Sequence, residues 1–132
     1  MSFGPVDLVG EYARLMTDGG TFTANGVSTA IPTGMEGWYL ESRYHFFPEF
    51  LNSTVLGKAN GFERASFTLV GRYGQADTDL QASGANSQHE LLVGLNYRPI
   101  PTFVTKLEWQ RIVSPTSGRN DDAIWSSVAV GF

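Results

Sequence analysis

The stretch Glu36-Gly37-Trp38-Tyr39-Leu40-Glu41-Ser42-Arg43-Tyr44-His45-Phe46-Phe47 decides the fold. Its residues alternate in character. Trp38, Leu40, Ser42, Tyr44 and Phe46 share one parity; Tyr39, Glu41, Arg43 and His45 share the other. A helix would mix the two sets around its circumference, whereas a β-strand sends them to opposite faces. One face is then apolar and aromatic, and the other carries three ionisable groups in a row. The run also has the length of a bilayer-crossing strand, which needs about 9–11 tilted residues against about 5–6 for an average soluble strand.

The same alternation recurs along the chain. Ala65–Gln75 sets Phe67, Leu69, Gly71 and Tyr73 against Ser66, Thr68, Val70 and Arg72. Gln88–Arg98 sets Leu91, Val93, Leu95 and Tyr97 against Glu90, Leu92, Gly94, Asn96 and Arg98. Thr102–Arg111 sets Phe103, Thr105, Leu107 and Trp109 against Val104, Lys106, Glu108 and Gln110. In Ala123–Phe132, Ile124, Val128, Val130 and Phe132 oppose Ser127, Ala129 and Gly131. Asp7–Met16 is less regular, because Arg14 falls among the apolar set of Leu8, Gly10, Tyr12 and Met16. The expected fold is all-β: an antiparallel up-and-down meander of about six long strands in a single domain, residues 1–132.

The connectors have their own signatures. Asn25-Gly26 between Thr21-Phe22-Thr23 and Val27-Ser28-Thr29 signals a type I′ hairpin. Pro48 before Glu49 and an apolar run reads as the first turn of a short helix. Arg98-Pro99-Ile100-Pro101 reads as a tight turn, and the polar stretches Thr17–Thr33, Ala76–Ser87 and Ile112–Asp122 as long loops.

Composition removes several function classes. The chain of 132 residues has 9 Lys plus Arg against 13 Asp plus Glu, a formal net charge of −4. Without a basic cluster it lacks the means to hold nucleic-acid phosphates. Zero cysteines exclude a disulfide scaffold, a Cys-ligated zinc and a Cys nucleophile. No apolar run reaches the roughly 18 residues of a membrane helix. Met1-Ser2-Phe3-Gly4-Pro5 has no basic residue and no apolar core, so no signal peptide is expected there.

Two solvents compete for the apolar face. A soluble lipid-binding barrel would turn it inward; a membrane barrel turns it into lipid. The aromatic pattern favours lipid. With Phe132 set at one rim and strand directions alternating backwards, Tyr44, Phe46, Phe67, Tyr97 and Phe103 gather with it. Trp38, Tyr73 and Trp109 gather at the other rim, with Leu40, Leu69, Val93, Leu95, Leu107 and Val128 between. Two aromatic girdles around an aliphatic belt are what a bilayer selects in a barrel. The same orientation puts the short Arg98–Pro101 turn on one rim and the three long polar loops on the other, as in outer-membrane barrels.

The ending Trp125-Ser126-Ser127-Val128-Ala129-Val130-Gly131-Phe132 resembles the C-terminal strand of bacterial outer-membrane β-barrels. More narrowly, Gly4-Pro5…Glu11-Tyr12, Gly37-Trp38-Tyr39 and Leu95-Asn96-Tyr97-Arg98-Pro99-Ile100-Pro101 resemble the last strands of the phosphate-selective porin O and P family. The resemblance implies an outer-membrane location, lipid as surroundings, and recognition of the terminal strand by the barrel-assembly machinery. It covers only the C-terminal part of such a porin. Phe47-Pro48-Glu49-Phe50 departs from the turn the family often has there. Six strands are fewer than the roughly eight of the smallest closed barrels. The chain is therefore expected either to be a C-terminal barrel fragment, or to close a small barrel with extra strands from Thr21–Ala30 and Leu51–Lys58; a homo-oligomer is the third way to close.

The polar parity supplies the candidate pore-lining residues Glu41, Arg43, His45, Arg72, Glu90, Arg98, Lys106 and Glu108. They form either a hydrated wall that biases ion passage or a ladder of cross-strand ion pairs. Arg43 and Arg72 are the best candidates for an anion-attracting patch. No enzyme is expected. The only two histidines, His45 and His89, fall on opposite parities near opposite rims, and a His45–Glu41 pair beside a serine reads as a wall contact. No cofactor or metal site is expected either: Asp77/Asp79 and Asp121/Asp122 are loop acids, and Asp18-Gly19-Gly20-Thr21 lacks the lysine of a phosphate loop.

Overall fold

Among the described residues, alternation of period two becomes nine strands: β1 (Ser2–Phe3), β2 (Val6–Met16), β3 (Gly20–Ala24), β4 (Val27–Ile31), β5 (Gly34–Phe46), β6 (Ser66–Asp77), β7 (Ser87–Ile100), β8 (Phe103–Ser114) and β9 (Arg119–Val130). The structure is a computed structural model and describes residues 1–54, 65–80, 87–115 and 118–131. Seven strands form one antiparallel sheet in the order β1-β2-β5-β6-β7-β8-β9. This is the expected all-β meander, with β2 and β5 to β9 as its six long strands. β9 starts at Arg119, four residues before the expected Ala123, because the ladder to β8 continues through Val113–Asn120 and Ser114–Arg119. Arg111 reinforces that end by donating to both carboxylate oxygens of Asp122 at 2.8 and 2.9 Å.

Five features differ from the sequence expectations. The long loop expected over Ile112–Asp122 is mostly strand, because β8 runs to Ser114 and β9 starts at Arg119, leaving only residues 115–118 between them. The turn expected at Arg98–Pro101 is displaced: β7 runs on to Ile100, which pairs with Phe103 after a register shift beyond Tyr97. Pro99 has no N–H for the ladder, so the irregularity falls where it sits. The expected helix after Pro48 is a single 3-10 turn, Glu49–Leu51, with Pro48 as an extended cap. Thr21–Ala30 does form strands, β3 and β4, but they pair only with each other and add nothing to the large sheet. Asn25 and Gly26 turn that ribbon with φ of 52° and 77°, the left-handed pair a type I′ turn requires. Finally, β1 is an edge segment that the alternation did not signal. Of Leu51–Lys58, residues beyond Thr54 lie outside the described part.

The large sheet does not return on itself. Met1–Phe3 cover only the Val6–Leu8 end of β2, and among the described residues no strand borders the far side of β9. It is also a single layer. A water-soluble domain buries one face of a sheet against a second layer. Here the buried apolar side chains among the described residues are Ala65, Val70 and Leu92 alone.

Side-chain density differs between the faces. Tyr39 packs across Gly74 so closely that a Cβ there would lie 3.0 Å from the Trp38 carbonyl oxygen and 3.1 Å from the Tyr39 Cβ. On the opposite face, a Cβ on Gly71 would meet nothing within 4 Å. Gly74→Val is expected to lower folding stability by about 1–3 kcal/mol, the usual cost of overpacking, and Gly71→Val to be neutral. Urea titration of both variants in the same detergent reads the difference; equal midpoints would contradict the packing described.

Candidate functional site: the charged face

Cross-strand register builds this site. Residues directly opposite in an antiparallel pair share a face. The row Glu41–Arg72–Leu92–Gln110 crosses β5 to β8, and below it run Arg43–Val70–Gly94–Glu108 and His45–Thr68–Asn96–Lys106. Above it runs Tyr39–Gly74–Glu90–Ile112. Arg98, opposite Ser66, belongs to the same face. All eight sequence-selected charged residues therefore lie on one face.

At its centre Glu41 is only 2% exposed. One carboxylate oxygen accepts from Arg43 Nε at 2.6 Å, and the other accepts from Arg72 Nε at 2.7 Å. A buried carboxylate with two guanidinium partners is satisfied, and it holds both arginines upright from one point. Arg72 also lies over the Tyr39 ring, 4.8 Å from its centroid, and the Tyr39 hydroxyl donates to Glu11 at 2.9 Å. Arg43 and Arg72 are thus neighbours, as the anion-patch expectation requires, but they share a carboxylate.

His45 does not pair with Glu41. Arg43 lies between them on the strand and occupies the carboxylate. His45 instead hydrogen-bonds Thr68 Oγ1 through Nδ1 at 2.9 Å and Asp7 through Nε2 at 3.0 Å. Parity alone did not reveal Asp7 or Thr68 as its partners; the diagonal and cross-strand register does. His89 sits on the opposite face against Tyr73, whose hydroxyl is 3.1 Å from its Nδ1, so the two histidines share no site.

Two hollows open on the charged face. One, of about 330 Å³, is lined by Arg43, Arg72, Arg98 and Lys106 together with Glu41 and Glu108. The other, of about 280 Å³, lies over Gly37 and Gly74 and is edged by Glu11, Tyr39, Gln88 and Glu90. Trp125, which the alternation left without a role, also faces this side and donates from Nε1 to Gln110 at 3.0 Å. No group of three or more metal-ligating side chains occurs among the described residues.

The other face carries the ring-bearing residues. Tyr44, Phe46, Phe67 and Tyr97 stack in sequence across three strands, with centroids 5.6, 5.9 and 4.7 Å apart. Trp38 and Tyr73 meet edge to face at 5.7 Å. Phe103 and Trp109 share this face on β8, opposite Val130 and Ile124. Phe132 lies outside the described residues.

The rings do not follow the cross-strand rows. The row through Trp38 reaches β8 at Val113, yet the tryptophan of that strand is Trp109, four residues lower. The row through Tyr44 reaches β8 at Leu107, and the phenylalanine is again four residues lower, at Phe103. Four residues are about 13 Å along a strand and three strand spacings about 14 Å, so the Trp38–Trp109 and Tyr44–Phe103 lines slope by about 40°; from Phe46, whose row reaches β8 at Thr105, the drop is two residues and the slope about 25°. Strands in membrane barrels tilt by about 35–45°. Bands that fall the same way across a sheet come nearer to level once its strands tilt.

No protein-family model matches this chain, and no curated protein or solved structure matches it either.

Proposed function

We propose that this chain forms part of the wall of a bacterial outer-membrane β-barrel, with its aromatic-banded face in lipid and its charged face lining a water-filled pore for ions or small solutes. The observation that carries the reading is inverted burial along a single strand. Leu40 is 54% exposed and its neighbour Glu41 is 2% exposed. Lipid as solvent accommodates Leu40, and Arg43 and Arg72, half-exposed on the other face, accommodate Glu41 beneath them. The common direction in which the two ring bands slope supports the same assignment.

The soluble alternative, a lipid-binding barrel, needs the apolar face to be the enclosed one. Leu107 at 57%, Val128 at 62% and Ile124 at 76% exposure lie on the open side instead. Backbone groups on an open sheet edge go unpaired in hydrocarbon, so the wall must close with strands beyond β2 and β9. The porin-family resemblance belongs to this proposal, as do an outer-membrane location and recognition of the last strand by the assembly machinery. No catalytic role is proposed for the wall itself.

Fractionation tests the reading directly. The chain is expected in the outer-membrane fraction, and the purified chain is expected to require detergent. Monodisperse protein in detergent-free buffer would overturn the proposal.

A further inference from the structure

The charged face settles several of its ionic groups within the protein. Glu41 takes Arg43 and Arg72, and Asp7 takes His45. Arg98, Lys106 and Glu108 differ. All three line the same hollow, yet their side chains form no ion pair or hydrogen bond among the described residues.

Register keeps them close together. Lys106 lies directly opposite Asn96, and Arg98 follows Asn96 by two residues on the same face of β7. Glu108 lies opposite Gly94, two residues the other way. Because Gly94 has no side chain, Glu108 leans across it: a Cβ there would lie 2.9 Å from Glu108 Cγ and 3.5 Å from Oε1. One carboxylate and two cations thus border Asn96, whose Oδ1 is buried without a hydrogen-bond partner. The four residues from Gly94 to Arg98 cover about 13 Å of β7.

The order of charges selects a ligand. A simple anion gains two cations and meets the Glu108 charge; a simple cation meets the reverse. The complement has an ammonium at one end, a carboxylate beside it and a second carboxylate beyond. Two cations against one carboxylate leave the three side chains at +1, and such a ligand carries −1. Acidic amino acids have this sequence of charges. Glutamate spans about 5 Å from its nitrogen to its distal carboxylate carbon, at about 1.5 Å per bond. A charge-assisted hydrogen bond of about 2.8 Å at each end extends this to about 11 Å, which the flexible Arg98 stem can meet.

We infer that the charged face holds an acidic amino acid over Asn96, with its ammonium at Glu108, its α-carboxylate at Lys106 and its side-chain carboxylate at Arg98. This rests on the pore-wall reading and names a solute for that wall. Arg43 and Arg72, across the hollow, keep Glu41 as their partner.

The test uses the full 132-residue chain refolded in detergent micelles, with L-glutamate, glutarate and L-alanine as probes in an amide-shift titration by NMR. Glutarate lacks the ammonium, and alanine lacks the second carboxylate. Glutamate is expected to bind about fivefold more tightly than either, the equivalent of one exposed ion pair of about 1 kcal/mol. Glu108→Gln is expected to bring glutamate down to the glutarate level without weakening glutarate. Arg98→Met is expected to bring glutamate down to the alanine level without weakening alanine. Glutarate binding as tightly as glutamate to folded wild-type protein would mean a plain anion-binding wall and overturn the assignment. Alanine binding as tightly as glutamate, or no binding of any probe, would overturn it as well. Protein that acquires no β-structure in detergent would bring down the pore-wall reading, and this inference with it.

Discussion

Leu95→Arg is expected to abolish stable insertion. Leu95 lies on β7 in the aliphatic belt, between Leu69 and Leu107 on the neighbouring strands, and is 41% exposed on the lipid-assigned face. Arginine near the midplane of that face costs about 2–4 kcal/mol, which is roughly 30- to 1000-fold in the folded population. Ser127→Glu is the matching control. Ser127 faces the other side, directly opposite Lys106, so the new carboxylate gains a cation and stays in water. Gel mobility with and without heating, on protein refolded in lipid vesicles, distinguishes the two. Folded Leu95→Arg at wild-type yield would show that this face does not see hydrocarbon.

Glu41→Leu is expected to be the most damaging change on the charged face. Removing one partner from a buried charge network can cost about 3–5 kcal/mol, because the remaining charges stay desolvated. The arginine side chains here are 44% and 34% exposed, so water recovers part of the loss. An effect of about 2–3 kcal/mol follows, consistent with two charge-assisted hydrogen bonds lost. Glu41→Gln keeps the shape and one acceptor and is expected to cost less than half as much. Urea midpoints in detergent order the three proteins, and a Glu41→Leu midpoint equal to wild type would remove Glu41 as the anchor of Arg43 and Arg72.

Much of this architecture was legible because one rule governs it. A strand whose two faces have different surroundings must alternate, so Trp38 through Phe46 declared both the strand and which side chains share a face. Which side chains meet was not legible to the same degree. Parity puts Glu41, Arg43 and His45 on one face, but the partner of His45 depends on where β2 and β6 lie beside β5. Arg14, anomalous in its strand, becomes intelligible once Glu36 is placed opposite it. Pro99 misled in the other direction: a proline pair suggested a turn, whereas the strand tolerates one missing donor and turns two residues later. Thr21–Ala30 had strand character without any signal of where it would pair, because a ribbon and a sheet strand share the same local pattern.

The order of the sheet also bears on how such a wall can be made. Apart from the step that the β3–β4 ribbon bridges, each long strand pairs with its immediate successor. Loops that close locally lose little chain entropy, and single hairpins form within about 1–10 μs. The meander can therefore grow by adding one hairpin to a finished edge, and each new strand finds its template already in place. A lesion in β7 would not merely weaken a contact. It would leave every strand on its far side without the edge on which to assemble, so damage in mid-sheet propagates in a way that damage at β1 cannot.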